Sequence, residues 1–334
     1  MQPSKIETPQ KISFFNKLSS RIGVGGMQQV ALIFICVMIA LGMQFTNPRF
    51  LRPANIEVML VNYAPEAIMA LGMTIVMISG GIDISVAGVL QFSAILVGLL
   101  MNAGWSVPLA VLGALLASAL IGLINASAMI WFKVHPFIVS MATLLTLRGV
   151  DLVISKGGTV SGFPEAFSYL GQASFLGVRV SLILVLILAI LIGVTLKNHS
   201  YLQNAYFIGG NRRAARMSGV RVERFLVFAF MLNSLLAGIA GIVICSQLSA
   251  ASTSFGQNAE LRVITAVAIG GTSFSGGSGS IFGTMLGVVF LAMISNSFNM
   301  SGINTYWYDV VIGVMLLLAV FLGEYLKRRN IISR

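Results

Sequence analysis

Residues able to do chemistry are scarce in this chain, and the densest group of them is basic. Lys197, Arg212, Arg213, Arg216, Arg221 and Arg224 fall within one stretch of a sequence that is only 9% charged. Gly209-Gly210 breaks the chain there, Asn211 is placed to cap a helix, Arg212 to Ser218 suffices for two turns, and Gly219 can end them. The spacing predicts a short surface helix. Arg212 and Arg213 near its start oppose the helix dipole, which an acidic partner surface would compensate. Enforcing topology or touching lipid headgroups is the competing use of the same charges.

Other chemistry-bearing residues give more local readings. Asp83 sits in a Gly-flanked turn before an apolar run, where its carboxylate can cap the next helix; that reading is preferred to a role in ion coupling. Gly270 to Gly279 carries five glycines and four hydroxyl residues in ten positions, the composition of an anion nest. Without a lysine or a preceding strand, a flexible turn is the better reading. Arg148 and Asp151 are three apart, a helical spacing that permits a local ion pair. Cys36 and Cys245 lie inside apolar runs with no partner spacing, and His135 and His199 stand far apart. Neither a disulfide, a metal site nor a catalytic group is expected from them.

The elements that must position these residues follow from composition. Of 334 residues 57% are hydrophobic, and the mean hydropathy is +0.93, against about 25% charged residues in an ordinary soluble domain. The chain reads as an all-α, polytopic membrane bundle. Apolar stretches near 29–46, 56–79, 85–102, 107–132, 136–154, 180–196, 225–248, 259–271, 280–300 and 306–326 give about ten spans, the eighth short enough to be broken or re-entrant. The first run follows a basic segment without a clear cleavage site and is read as a retained span. With a cytoplasmic N-terminus, 15 of the 21 basic residues fall inside and 6 outside, which places both termini in the cytoplasm. The expected organisation is a cytoplasmic segment 1–28, a transmembrane domain 29–326 with the cytoplasmic loop 197–224, and a cytoplasmic tail 327–334. Such charges between spans serve topology and anionic lipid, so nucleic acid is not an expected partner.

Small residues at four-residue spacing mark two spans, Ala110, Ala114, Ser118, Gly122 and Ala126 in one and Gly279, Gly283 and Gly287 in the other. In lipid such stripes let helices approach closely, chiefly within one chain, with a dimer seam as the other use. Asn62, Glu66, Gln91, Asn125, Asn233, Gln247, Asn296 and Asn299 are polar residues within spans, where their cost demands a role. They suit hydrogen bonding to hydroxyl groups on a pathway, or to neighbouring helices. Trp105, Trp131 and Trp307 fall near span ends and need only an interfacial role.

Four separated blocks then resemble a known family in its own order. Gly209-Gly210-Asn211, Ala214-Ala215-Arg216 and Ser218-Gly219-Val220 resemble the coupling-loop motif of the permeases of ribose-type (monosaccharide) ABC importers. Ser79-Gly80-Gly81-Ile82-Asp83-Ile84-Ser85-Val86, Thr143-Leu144-Leu145-Thr146-Leu147-Arg148-Gly149, and Ile269-Gly270-Gly271-Thr272-Ser273 through Gly276-Gly277-Ser278-Gly279-Ser280 and Gly283-Thr284 are similar to further blocks of it. Ala87 stands where that family commonly has glycine, and Arg212-Arg213 replaces a Pro-Glu-like pair. The resemblance covers about Asn47 to the last span.

The resemblance implies an inner-membrane permease subunit, not an enzyme, working with a second permease chain, a cytoplasmic ATPase and an external sugar-binding protein. It assigns the ATPase contact to Gly210, Asn211, Arg212, Arg213, Ala215, Arg216, Ser218 and Gly219, and leaves Asn62, Glu66, Gln91, Asn125, Asn233, Asn296 and Asn299 as candidates for the solute path. No Gly-x-x-x-x-Gly-Lys-Ser/Thr loop occurs, so energy must enter from another subunit, with ATP and Mg bound there, or from an ion gradient. Glu66 and the short eighth span keep a gradient-driven secondary transporter as the alternative. A membrane-embedded enzyme would need clustered His, Ser or carboxylate groups, which the sequence lacks. The solute, whether pentose, hexose, sugar alcohol or another sugar-like molecule, is not written in the chain.

Overall fold

The computed structural model describes residues 14–304 and 306–332, with side chains described over 26–304 and 306–321. The chain runs as α1 (Phe14–Thr46), α2 (Pro53–Asn62), α3 (Ala64–Ile78), α4 (Val86–Asn102), α5 (Val107–Phe132) and α6 (Pro136–Ile154). The strand β1 (Val160–Ser161), α7 (Glu165–Gln172), β2 (Ser174–Phe175) and β3 (Val178–Arg179) lead into α8 (Val180–Asn198), α9 (Ser200–Gly210) and α10 (Arg212–Met217). Then come α11 (Val222–Leu248), β4 (Ala250–Ala251), α12 (Ala259–Ile269), α13 (Ile281–Met300) and α14 (Tyr306–Ile332).

Six helices are long and apolar enough to cross a membrane, and α2 with α3 makes a seventh if the bent pair is one span. The ten stretches read from the sequence therefore reduce to seven by length. Three fall short: α4 has 17 residues, α12 has 11, and the apolar part of α14 covers Tyr306–Phe321. A 30 Å core asks for about 20 helical residues. The stretch 56–79 is not one straight helix either. It bends by 51° between α2 and α3, where Pro65 opens the second helix because proline cannot continue the first one's hydrogen bonding. At the other end of the chain's first span, α1 starts at Phe14, ahead of the boundary expected at residue 29; residues 1–13 lie outside the described residues.

The core is centred on α3, which is buried at every position except Glu66 and so is apolar all round, as a fully enclosed helix should be. The long helix α11 packs on α3, α4 and α5. Both small-residue stripes are used inside the chain. Gly122 of α5 lies against the backbone of Phe230 and Met231, and Ser118 lies against Gly238, so the first stripe seats α5 on α11. Gly283 and Gly287 face the carbonyls of Gly270 and Ala266, seating α13 on α12. Close backbone approach, with the dispersion contacts it brings, is what joins helices when water exclusion cannot.

Two short strand pairs stand at the end remote from α10. Val160–Ser161 pairs antiparallel with Ala250–Ala251, and β2 and β3 form a hairpin across Leu176 and Gly177. Ser246 Oγ donates to the Phe167 carbonyl at 2.6 Å and accepts from the Gly171 amide at 2.8 Å, tying α7 to the top of α11.

Candidate functional site

The basic stretch folds as its sequence suggests. Asn211, in an extended conformation, accepts hydrogen bonds at its Oδ1 from the amides of Arg213 and Ala214, both at 3.0 Å, and so caps α10. At the other end the amide of Val220 donates to the Ala215 carbonyl and that of Gly219 to the Arg216 carbonyl, each at 3.0 Å. This is the paired closure of a Schellman motif, and the residue at its turning point, Gly219, has φ +86°, a conformation that a Cβ would strain. Ser218 is the C-terminal capping position.

One buried side chain, Ala215, and the packing of Val220 hold this six-residue helix to the core. Everything else on it is exposed: Arg212, Arg213, Arg216 and Met217, the last at 81%. Arg216 pairs with Glu223 at the start of α11, while Arg212 and Arg213 form no ion pair among the described residues. Partial burial, then the neighbouring Arg216, push the Arg212 guanidinium below its usual value, against the opposing charge of Glu223. A cavity of about 550 Å³ adjoins it, lined by Lys133, His135, Arg212, Arg216, Glu223 and Leu226 among others. The α5–α6 turn thus belongs to the same surface. Sequence reasoning missed Lys133, His135 and Glu223 because they lie far away along the chain or on another element; it also passed over Met217, an apolar residue among arginines on a surface helix, which was the available signal.

Behind α10, α9 connects this surface to two inter-helix turns. Leu202, Ala205 and Ile208 anchor α9 in the core. Its last turn meets the ends of α3 and of the α12–α13 loop backbone to backbone. A Cβ on Gly209 would overlap both the Ile78 carbonyl oxygen and the Gly277 nitrogen, so only glycine fits. The Gly277 amide donates to the Ile78 carbonyl at 2.8 Å, and Tyr206 Oη donates to the Gly279 carbonyl at 3.0 Å. The segment leading into α10 is therefore in direct contact with the end of α3 and with the α12–α13 loop. Gly210, one residue on, has open space around it.

Asp83 is fully buried in the α3–α4 turn. Its Oδ1 accepts from the Ser85 amide at 3.0 Å and the Ser85 hydroxyl at 2.6 Å, and its Oδ2 accepts from Asn233 Nδ2 at 3.0 Å. The expected helix cap is not formed: the N-cap position of α4 is Ser85, without a side-chain cap hydrogen bond, and Asp83 instead closes a tight turn onto Ser85 just ahead of the helix. The longer-range contact to α11 was not expected. Asn125 Nδ2 donates to Ser85 Oγ at 2.9 Å, Thr143 donates to Asn125 Oδ1, and Ser140 Oγ accepts from the Ile84 amide at 3.2 Å. One polar network thus joins the turn to α5, α6 and α11.

The seven pathway candidates do not converge on one lining. Asn125 and Asn233 belong to the Asp83 network. Glu66 pairs with Arg262 at 3.0 Å, beside a hydrogen bond of 2.6 Å between the hydroxyls of Tyr63 and Tyr308. Gln91 is buried on α4 and approaches Asp151. Asn62 is exposed at the end of α2, Asn299 is exposed near the end of α13, and Asn296 reaches the Met300 sulfur at 3.7 Å. Gln247, also polar within a span, donates to the Val61 carbonyl at 3.2 Å. The expected Arg148–Asp151 pair is not formed. Arg148 reaches across to Glu260 of α12 at 3.3 Å, while Asp151 turns to the buried face of α6 against α4. Spacing alone put both on one helix but not on one side of it.

Known proteins give this geometry a context. Residues 55–320 match the family described as the permease component of the branched-chain amino acid transport system. The ribose import permease protein of Bacillus subtilis is 34% identical over 97% of this chain and 99% of its own length. The ribose import permease of Escherichia coli K12 is 33% identical, covering 89% of this chain and 94% of the relative, and the L-arabinose ABC transporter permease of Azospirillum brasilense is 30% identical, covering 92% and 91%. No solved structure matches the chain. A match that spans the capped cationic helix, and that extends to relatives over nearly their full length, leaves one assignment: the chain belongs to the family of permease components described for branched-chain amino acid transport.

Proposed function

We propose that this permease carries a monosaccharide or sugar-like solute inward, and that α10 is where an ATPase subunit drives it. The chain is a multi-pass inner-membrane permease subunit of an ABC importer, and hydrolysis belongs to a separate subunit. The solute class rests on the relatives, whose names print ribose, arabinose and autoinducer 2, rather than on the broader family description.

The observation that carries the coupling role is the contact at Gly209. A capped, exposed, cationic helix stands outside the bundle, and the helix before it is locked backbone to backbone against α3 and the α12–α13 loop. Gly210, Asn211, Arg212, Arg213, Ala215, Arg216, Ser218 and Gly219 form the docking unit, with Met217 supplying an adaptable apolar contact. The ATPase, which binds ATP and Mg, presents an acidic surface to it. Ten crossings with both termini in the cytoplasm place α10 on the cytoplasmic side, with α4, α12 and α14 as the three short crossings. A second permease chain, homo- or heteromeric, completes the path, and an external binding protein delivers the solute to the opposite face. Movement of α10 then biases an equilibrium between two access states, which requires the ATPase to hold α10 differently in each.

Labelled ribose and arabinose uptake in cells carrying the chain with its ATPase tests this, comparing wild type with Arg212→Glu, Arg213→Glu and Arg216→Glu combined. The expected result is at least tenfold lower uptake together with loss of ATPase pull-down, at unchanged membrane level. Uptake that persists without the ATPase and collapses with an ionophore would instead establish a gradient-driven transporter.

A further inference from the structure

The cluster around Arg148 is not absorbed by the coupling site, and its setting is unusual for a span. Arg148 lies about 18 Å along α6 from Pro136, at 1.5 Å per residue, and Pro136 itself borders the cavity beside α10. It therefore lies past the middle of α6, about 9 Å short of the helix end at Ile154. Its partner, Glu260, opens α12. The floor between these helices is α4: Leu144 and Leu147 of α6 sit against Gly88, and Gly256, just ahead of α12, sits against Ala87 and Leu90.

The Arg148 side chain remains 34% exposed and that of Glu260 only 10%. Charged groups within a span face a protein interior or a water-filled cavity, because lipid solvates them poorly. A second observation points to a ligand. Glu260 uses one carboxylate oxygen on Arg148 and leaves Oε2 buried without a partner. Buried polar atoms are nearly always satisfied, so this acceptor beside a guanidinium calls for a donor that the described residues do not supply.

We propose that the cleft between α6 and α12 is a hydroxyl-recognising station on the solute path, with Arg148 donating to ring or hydroxyl oxygens and Glu260 Oε2 accepting from a hydroxyl hydrogen. A neighbouring hydroxyl pair on one sugar presents both a donor and an acceptor to such an Arg–carboxylate fork, which a branched apolar amino-acid side chain does not. Asp151 and Gln91 stand behind the pair and set its charge and position. The inference rests on the sugar-import reading and deepens it by naming residues.

The test uses the whole importer, permease with ATPase and binding protein, in proteoliposomes. Arg148→Cys in a Cys36→Ser, Cys245→Ala background is exposed to a membrane-impermeant cationic thiol reagent, with Leu186→Cys on the outer face of α8 as the lipid-facing control. Labelling of position 148 at least tenfold faster than position 186 is expected; equal labelling overturns the proposal. Uptake of labelled ribose and arabinose should fall at least tenfold in Glu260→Gln and Arg148→Gln, while ATPase pull-down stays at the wild-type level. The swapped pair Arg148→Glu with Glu260→Arg restores an ion pair, so rescue of uptake by the swap would make the pair structural and sink the station. Loss of pull-down in wild type would fail the importer reading instead. If a variant does not accumulate, the labelling decides alone.

Discussion

The turns after α3 and after α12 both begin with paired glycines and both lead into a second helix, yet they are held in opposite ways. Residues 79–85 are almost wholly buried, and Asp83 draws donors from its own turn and from α11. Residues 270–280 are largely part-exposed; Ser273 and Ser275 bond to each other at 3.0 Å, and Ser280 accepts from Gln29 of α1 and from the Gly283 amide. The second turn is tied outward chiefly through Gly277 and Gly279, to α3 and α9. One turn is fixed to the scaffold by side chains, and the other is held by its backbone atoms to the ends of α3 and α9. Under the proposed coupling role, the difference sets where displacement at α10 would go: to the α12–α13 turn more than to α4.

Removing the anchor of the first turn should produce the largest effect. Asp83→Ala leaves Asn233 and Ser85 buried without their acceptor and is expected to cost about 3 kcal/mol, read as a lower thermal unfolding midpoint in detergent; an unchanged midpoint would break the comparison. Next in size is Gly209→Ala. Its Cβ must push apart Ile78 and Gly277, for about 2 kcal/mol, and solute-stimulated ATP hydrolysis should fall at least tenfold, while Gly313→Ala on α14, where an added Cβ meets open space, stays near wild type. If both alanines behave alike, backbone contact at Gly209 is not the link. The smallest effect belongs to Ser275→Ala in the second turn, expected within about 0.5 kcal/mol of wild type, and a larger change there would mean that its serines are structural after all.

Much of α10 was legible in the sequence because its signals are local. Asn211 reaches amides two and three residues on, and Gly219 closes a turn over six residues. The membrane class and the long helices were equally plain from apolar length. What stayed hidden depends on contacts remote in the chain. Asn233 meets Asp83 across 150 residues, Glu260 draws Arg148 away from Asp151, and Arg262 finds Glu66 across 196. The bend at Pro65 carried a signal, yet continuous hydropathy from 56 to 79 ran through it. The small-residue stripes announced close packing but not their partners, α11 for one and α12 for the other.

The brevity of α12 also constrains how the protein is made. With 11 residues it reaches about 16 Å, half of a bilayer's hydrocarbon core. It carries Glu260 and Arg262 near its start, so it has little tendency to leave the translocation machinery for lipid unaided. The charges that receive it, Arg148 on α6 and Glu66 on α3, belong to helices synthesised earlier. Insertion of α12 thus joins docking onto α3 and α6, already made, to packing against α13 and α14, made after it, and an early substitution such as Glu66→Ala should appear first as degradation of nascent chains stalled at this segment.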